Sequence, residues 1–251
     1  MIHLLRSEIR KLLTIRSTYG LILACLAITV FFAFYIMGYR TTAPVTDPGA
    51  LVRQMTDAIQ FLVLFFAIIG VLLMTHEYRF GTIMYTLTSS PRRWQVLVAK
   101  IVTVTVLVLL LTAVFAALAP LLTYAGWLLK GVNFVPQDLP SLDLVARVLF
   151  YSWAYAMFAL LIAVLVRNQN GAIAVLFLLP LTIEILLGLL LRERAAYLPF
   201  TLLQSVVQNQ PASMLAPSSP LSPWQAAGVF TIYLIVGWLI GLLLFLKRDA
   251  A

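Results

Sequence analysis

The sequence predicts an all-α integral membrane protein with an N-terminal interfacial helix and six transmembrane helices. Three observations carry this expectation. The 251 residues have a mean hydropathy of +1.02, being 63% apolar and 10% charged, against roughly half and a quarter in a soluble domain. Apolar runs of about the 20 residues needed to cross a bilayer recur along the chain. The basic residues, which give a net charge of +8, gather in alternate connections. Six spans leave too little chain, too scattered, for a second folded unit, so residues 1–251 are read as one transmembrane domain.

Residues 1–16 are not read as a signal peptide, because Arg6, Glu8, Arg10, Lys11 and Arg16 interrupt them. At 100° per residue, Ile2, Leu5, Ile9, Leu12 and Leu13 share one face, with Ser7, Arg10, Lys11 and Thr14 opposite. That pattern predicts a helix in the headgroup layer, its basic residues turned toward anionic lipid. The spans follow at about Thr18 to Tyr39, Ala58 to Thr75, Val96 to Trp127, Val148 to Val166, Gly171 to Leu191 and Val229 to Leu246. In the third, 29 uncharged residues lie between Lys100 and Lys130; at 1.5 Å each they reach about 43 Å, beyond a hydrocarbon core of about 30 Å. Pro120 is expected to kink it, with Tyr124 and Trp127 at the far interface.

An even number of spans puts both termini on one side. That side holds eleven of the 17 Lys and Arg residues and the other holds six, so both termini are expected in the cytoplasm. The basic excess is explained by orientation and anionic lipid, and calls for no nucleic acid.

Three connections stand out. Gly81-Thr82 can start a short helix after the second span and Ser89-Ser90-Pro91 can end it. Tyr78, Phe80, Ile83, Met84, Tyr85 and Leu87 have no evident core there, which suggests the groove of a partner. The 52 residues from Ala195 to Leu246 lack any charge and are broken by Pro199, Pro211, Pro217, Pro220 and Pro223. Within them, 195–223 is either a re-entrant hairpin dipping in from outside or a loop on the outer surface. Arg167 to Asn170 forms a tight turn between the fourth and fifth spans.

The chemistry is sparse. The single cysteine, Cys25, can form no internal disulfide, and His3 and His76 lack the neighbours of a metal site. There is no GxSxG elbow, no HExxH and no GxxxxGK[ST] loop. No catalytic, cofactor-binding or metal-binding residue is therefore expected, and any ATP the protein uses is hydrolysed by another subunit. Glu184 lies inside the fifth span, where a carboxylate needs a partner, a proton or water. It is either a structural hydrogen-bonding group, a proton relay or a polar substrate contact.

The pattern resembles the membrane subunit of bacterial ATP-binding-cassette (ABC) exporters of the type-2 permease family. The likeness covers nearly the whole chain and is most specific from Glu77 to Lys100, where Glu-Tyr-Arg-x-Gly-Thr-Ile is followed by Pro91-Arg92-Arg93 and Ala99-Lys100. It implies a permease in the bacterial plasma membrane that pairs with a second copy, identical rather than related, and rests on a separate nucleotide-binding subunit holding ATP and Mg. Residues 77–93 would carry the cytoplasmic coupling helix, with Glu77, Tyr78, Arg79, Phe80, Gly81, Thr82, Ile83, Met84, Tyr85 and Leu87 in the groove of that ATPase. The interfacial helix would clamp its side through Ile2, Leu5, Ile9, Arg10 and Lys11, and Arg167 would add a smaller contact. Short external loops favour a small amphiphile, peptide or lipid-like substrate over a polymer. The alternative is a nontransporting scaffold, sensor or immunity protein.

Overall fold

A computed structural model describes residues 2–14, 16–40, 48–81, 93–131, 141–207 and 221–247, and among them every regular element is helical. Helix α1 spans Ile2–Thr14. Helix α2, Arg16–Thr29, continues as a π-helix over Val30–Arg40. Then come α3, Pro48–Arg79, and α4, Arg93–Leu129. Helix α5 is Leu142–Val166, and α6, Gln169–Leu178, leads through a π-turn at Leu179–Ile183 into α7, Glu184–Leu191. A 3-10 turn at Arg192–Tyr197 precedes the short α8, Pro199–Val207, and the chain ends on α9, Pro223–Lys247.

Six of these stretches are long and apolar enough to cross a membrane: Thr18–Arg40, Ile59–Arg79, Trp94–Leu129, Leu142–Val166, Gln169–Leu191 and Pro223–Lys247. The six expected spans are thus present, and they differ from expectation at their ends. The fourth begins at Leu142 rather than Val148, because Ser141 accepts from Leu144 N at 3.2 Å and caps the helix. Arg147, which marked the limit in the sequence, is instead buried one turn inside and paired with Asp143 at 2.9 Å. The sixth begins at Pro223 rather than Val229, behind a capping box: Ser222 Oγ accepts from Gln225 N, and Ser222 N donates to Gln225 Oε1. Helix α4 stays α-helical through Pro120, and its 37 residues exceed the thickness of a bilayer core.

Side-chain contacts fix which helix ends lie together. At one end α1 meets the last turn of α3 and the first turns of α4, while Arg79 of α3 donates to Gln169 of α6. At the other end the π-helix meets the end of α4. Ideal Cβ atoms built on Gly38 and Gly126 would lie 2.9 and 2.6 Å from backbone atoms of the opposite segment, so each position requires a residue without a side chain. Trp224 Nε1 donates to Asp143 there, tying α9 to α5. The helices therefore run alternately up and down. Helices α3 and α5 form the interior, whereas the first, fifth and sixth spans leave most of their apolar surface uncovered.

Helix α8 lies buried between α5 and α9, through Phe200, Leu202, Leu203, Val206 and Val207. The Phe200 ring sits 5.3 Å from the rings of both Tyr155 and Phe158 on α5.

Candidate functional site

Four charged side chains from three elements meet at the α1 end. Glu8 is 1% exposed, Glu77 4% and Lys100 0%. Lys11 Nζ donates to Glu8 Oε1 at 2.7 Å and to Glu77 Oε1 at 2.6 Å. Lys100 Nζ donates to Glu8 Oε2 at 2.9 Å and to the carbonyl of Leu73 at 3.0 Å, and forms an ion pair with Glu77 Oε1 at 3.0 Å. The result is a closed ring, Glu8–Lys11–Glu77–Lys100, with two charges of each sign. Burying such groups is costly alone and tolerable when paired.

The ring sets the ionisation of the two members outside the spans. Burial pushes the Glu8 carboxyl up, but the ammonium groups of Lys100 and Lys11 outweigh it and hold the carboxyl below the usual range. For Lys11, burial favours the neutral amine, yet the bonds to Glu77 and Glu8 prevail and raise its pKa.

Local sequence explains the placement. Glu8 and Lys11 are three apart on α1 and share a face with Leu12, which is 5% exposed. The expected split of α1 is corrected accordingly: Lys11 turns into the protein rather than toward lipid, because two carboxylates await it there. Ile9 and Arg10 point outward. The side chains of Ile2 and Leu5 lie outside the described residues.

Glu77, Tyr78 and Arg79 form the last turn of α3 instead of opening a separate connection, so α3 carries them rigidly beyond the apolar stretch. Phe80 follows at 64% exposure, and Gly81 ends the helix with φ +65°. Thr82, Ile83, Met84, Tyr85 and Leu87, expected in the coupling helix, lie outside the described residues. Arg167 caps α5 with φ 56°, and its guanidinium lies 5.6 Å over the Tyr78 ring, so the short turn is joined to α3. Glu8 and Lys100 were missed as site residues. The available signal was Lys100 itself, a cation several residues inside an apolar helix.

Glu184 belongs to a second cluster. Its carboxylate accepts from Phe200 N at 2.7 Å, Thr201 N at 3.0 Å and Thr201 Oγ1 at 3.0 Å, and so caps the start of α8 from the neighbouring helix. At the other end of α8, Arg147 Nη1 approaches the Val206 carbonyl at 3.5 Å. An acid at the N-terminus and a base at the C-terminus both oppose the helix dipole. Of the three roles open to Glu184, this is the structural one.

Six helices long and apolar enough to cross a membrane define a multi-pass helical membrane protein. The chain belongs to the family described as protein of unknown function DUF2705, which it matches over residues 21–251. No curated protein matches it.

Proposed function

We propose that this protein is the permease subunit of an ABC exporter, moving a small amphiphilic, peptide or lipid-like substrate out of the cytoplasm or its inner leaflet. ATP and Mg would be held by a separate nucleotide-binding subunit, and a second permease copy would complete the pathway. The observation that carries this reading is the construction of the α1 end. Helix α3 continues past its apolar stretch to an exposed aromatic tip, and the charge ring binds the root of that tip to α1 and α4. A push on the tip would move two spans and the interfacial helix as one body, which is what coupling to a remote ATPase requires. The placement of α8 against the Glu184 carboxylate, within the fifth span, supports the re-entrant form of 195–223 over a surface loop. The excess of basic residues supports a cytoplasmic position for the α1 end.

The test is to purify the protein with the product of an adjacent gene carrying a Walker motif, and to follow substrate-stimulated ATP hydrolysis. Charge reversal at Arg79, or Met84→Pro, is expected to abolish stimulation while the protein remains in the membrane. Full stimulation in both variants overturns the proposal.

A further inference from the structure

The ring that fastens α1 divides into two halves, and each half is neutral by itself. Helix α1 brings both Glu8 and Lys11, which pair at 2.7 Å within the helix. Helices α3 and α4 bring Glu77 and Lys100, which pair at 3.0 Å without help from α1. Two links cross between the halves, Lys11 to Glu77 at 2.6 Å and Lys100 to Glu8 at 2.9 Å. When α1 moves away those two are lost, and each of the four groups keeps a partner of opposite charge. Lys100 also keeps the Leu73 carbonyl. Parting the halves therefore leaves no buried lone charge, which is what makes breaking a buried ion pair so costly.

The closed ring is also an imperfect lock. Both ammonium groups converge on Glu77 Oε1, while Glu77 Oε2 is buried without a hydrogen bond. An orphaned carboxylate oxygen is a penalty of closure that water relieves on opening. Rehydration of Glu8, 1% exposed when closed, likewise offsets the lost contacts. Among the described side chains of α1, Leu12 is the buried apolar one, and Arg6, Ile9 and Arg10 face outward. That outer face suits a headgroup layer. The helix also closes its own last turn, Thr14 Oγ1 donating at 3.0 Å to the carbonyls of Arg10 and Lys11 in a shared bond. Freed from the bundle, α1 carries within itself what it needs to stay helical at the membrane surface.

We propose that α1 is a reversible latch: it parts from α3 and α4 as an intact helix carrying Glu8 and Lys11, while Glu77 and Lys100 stay paired and hold the two spans together. The latch operates whether or not the protein is a transporter. Its reporter is Leu12→Cys in the full-length protein in detergent, since Leu12 is 5% exposed and becomes open to a maleimide once α1 lifts. In this parent, position 12 is expected to be modified slowly while Cys25, 0% exposed in the first span, stays unmodified. Glu8→Lys with Lys11→Glu keeps α1 neutral but sets like charges across both links. It is expected to quicken modification at position 12 by about tenfold or more, with Glu8→Gln plus Lys11→Gln falling between it and the parent. Both pairs of changes should leave the unfolding midpoint far closer to the parent's than Lys100→Met does. Amide exchange in the chain with its natural Leu12 reads the same series, α1 quickening while α3 and α4 do not, and covers the case in which Leu12→Cys itself loosens α1.

Modification of position 12 in the parent no faster than of Cys25 overturns the latch, because α1 then opens only with the first span. An unchanged rate on reversal of the α1 pair overturns it as well. So does a fall in the midpoint as large as that of Lys100→Met, which would make α1 an inseparable part of the bundle.

Discussion

Lys100 is the residue on which the α1 end depends most, because it faces both carboxylates and has no exposure. Replacing it by Met leaves two buried acids with Lys11 alone, and such a break costs about 3–5 kcal/mol. The expected result is a marked fall in the thermal unfolding midpoint in detergent, far larger than for Arg10→Met on the outer face of α1. The pH response of the ring follows from the directions of its shifts. Glu8 has a lowered pKa in the folded protein, so its contribution is full above the unfolded carboxyl value of about 4.3 and is lost as pH falls through the lower folded one. Lys11 has a raised pKa, so its contribution is full below about 10.4 and is lost as pH rises through the higher folded value. The protection of the α1 amides against exchange, taken relative to the intrinsic rate at each pH, is therefore expected to hold between about pH 5 and 10 and to fall outside that window. An unchanged protection factor at pH 3 would contradict the assignment of Glu8. For Glu184, three donors to one carboxylate make it a fastener for α8. Glu184→Ala should cost about 1–3 kcal/mol, the range for orphaned buried donors. In a transport assay at two pH values, Glu184→Gln should alter both rates by the same factor; a changed ratio would reinstate the proton relay.

The elements were legible where apolar length alone defined them. All six spans could be read from composition, and most discrepancies fall at ends that polar contacts decide. Arg147 read as the limit of a span because a guanidinium in an apolar helix is costly, and the offsetting Asp143 and Val206 carbonyl come from one turn back and from a distant helix. Ser222 and Gln225 hold the spacing of a capping box, a signal local to the sequence that sets the start of the sixth span. The ring was not legible as a whole, since Glu8, Lys11, Glu77 and Lys100 become neighbours only when α1 folds back across the ends of α3 and α4. Nothing in the composition announced the π-helix at Val30–Arg40 either. Its wider turn stacks Phe31, Tyr35 and Tyr39, with centroids 5.6 and 6.3 Å apart, and brings Gly38 onto Gly126. Gly126→Ala would place a methyl carbon 2.6 Å from the Gly38 Cα. The two segments must part, and a disulfide engineered between neighbouring positions of the π-helix and α4 should form more slowly in that variant than in Gly228→Ala, where the added carbon meets nothing.

At the scale of the molecule, α3 and α5 are covered by other helices while the first, fifth and sixth spans are not. Their bare surfaces suit lipid or a second copy. Tags placed after Lys247 and before α1 should both be protected from protease in intact cells; exposure of either would reverse the orientation and end the coupling proposal. The charge ring has one more consequence, at the level of the whole membrane. Carrying two positive and two negative charges, it experiences no net force from a transmembrane voltage, which acts on charge at about 2.3 kcal/mol per elementary unit per 100 mV. A lone lysine at the position of Lys100 would be dragged by every change in the cell's energised state. The neutral quartet can travel with its helices without electrical work, so the joint can answer to a mechanical stroke and stay deaf to the battery across the bilayer.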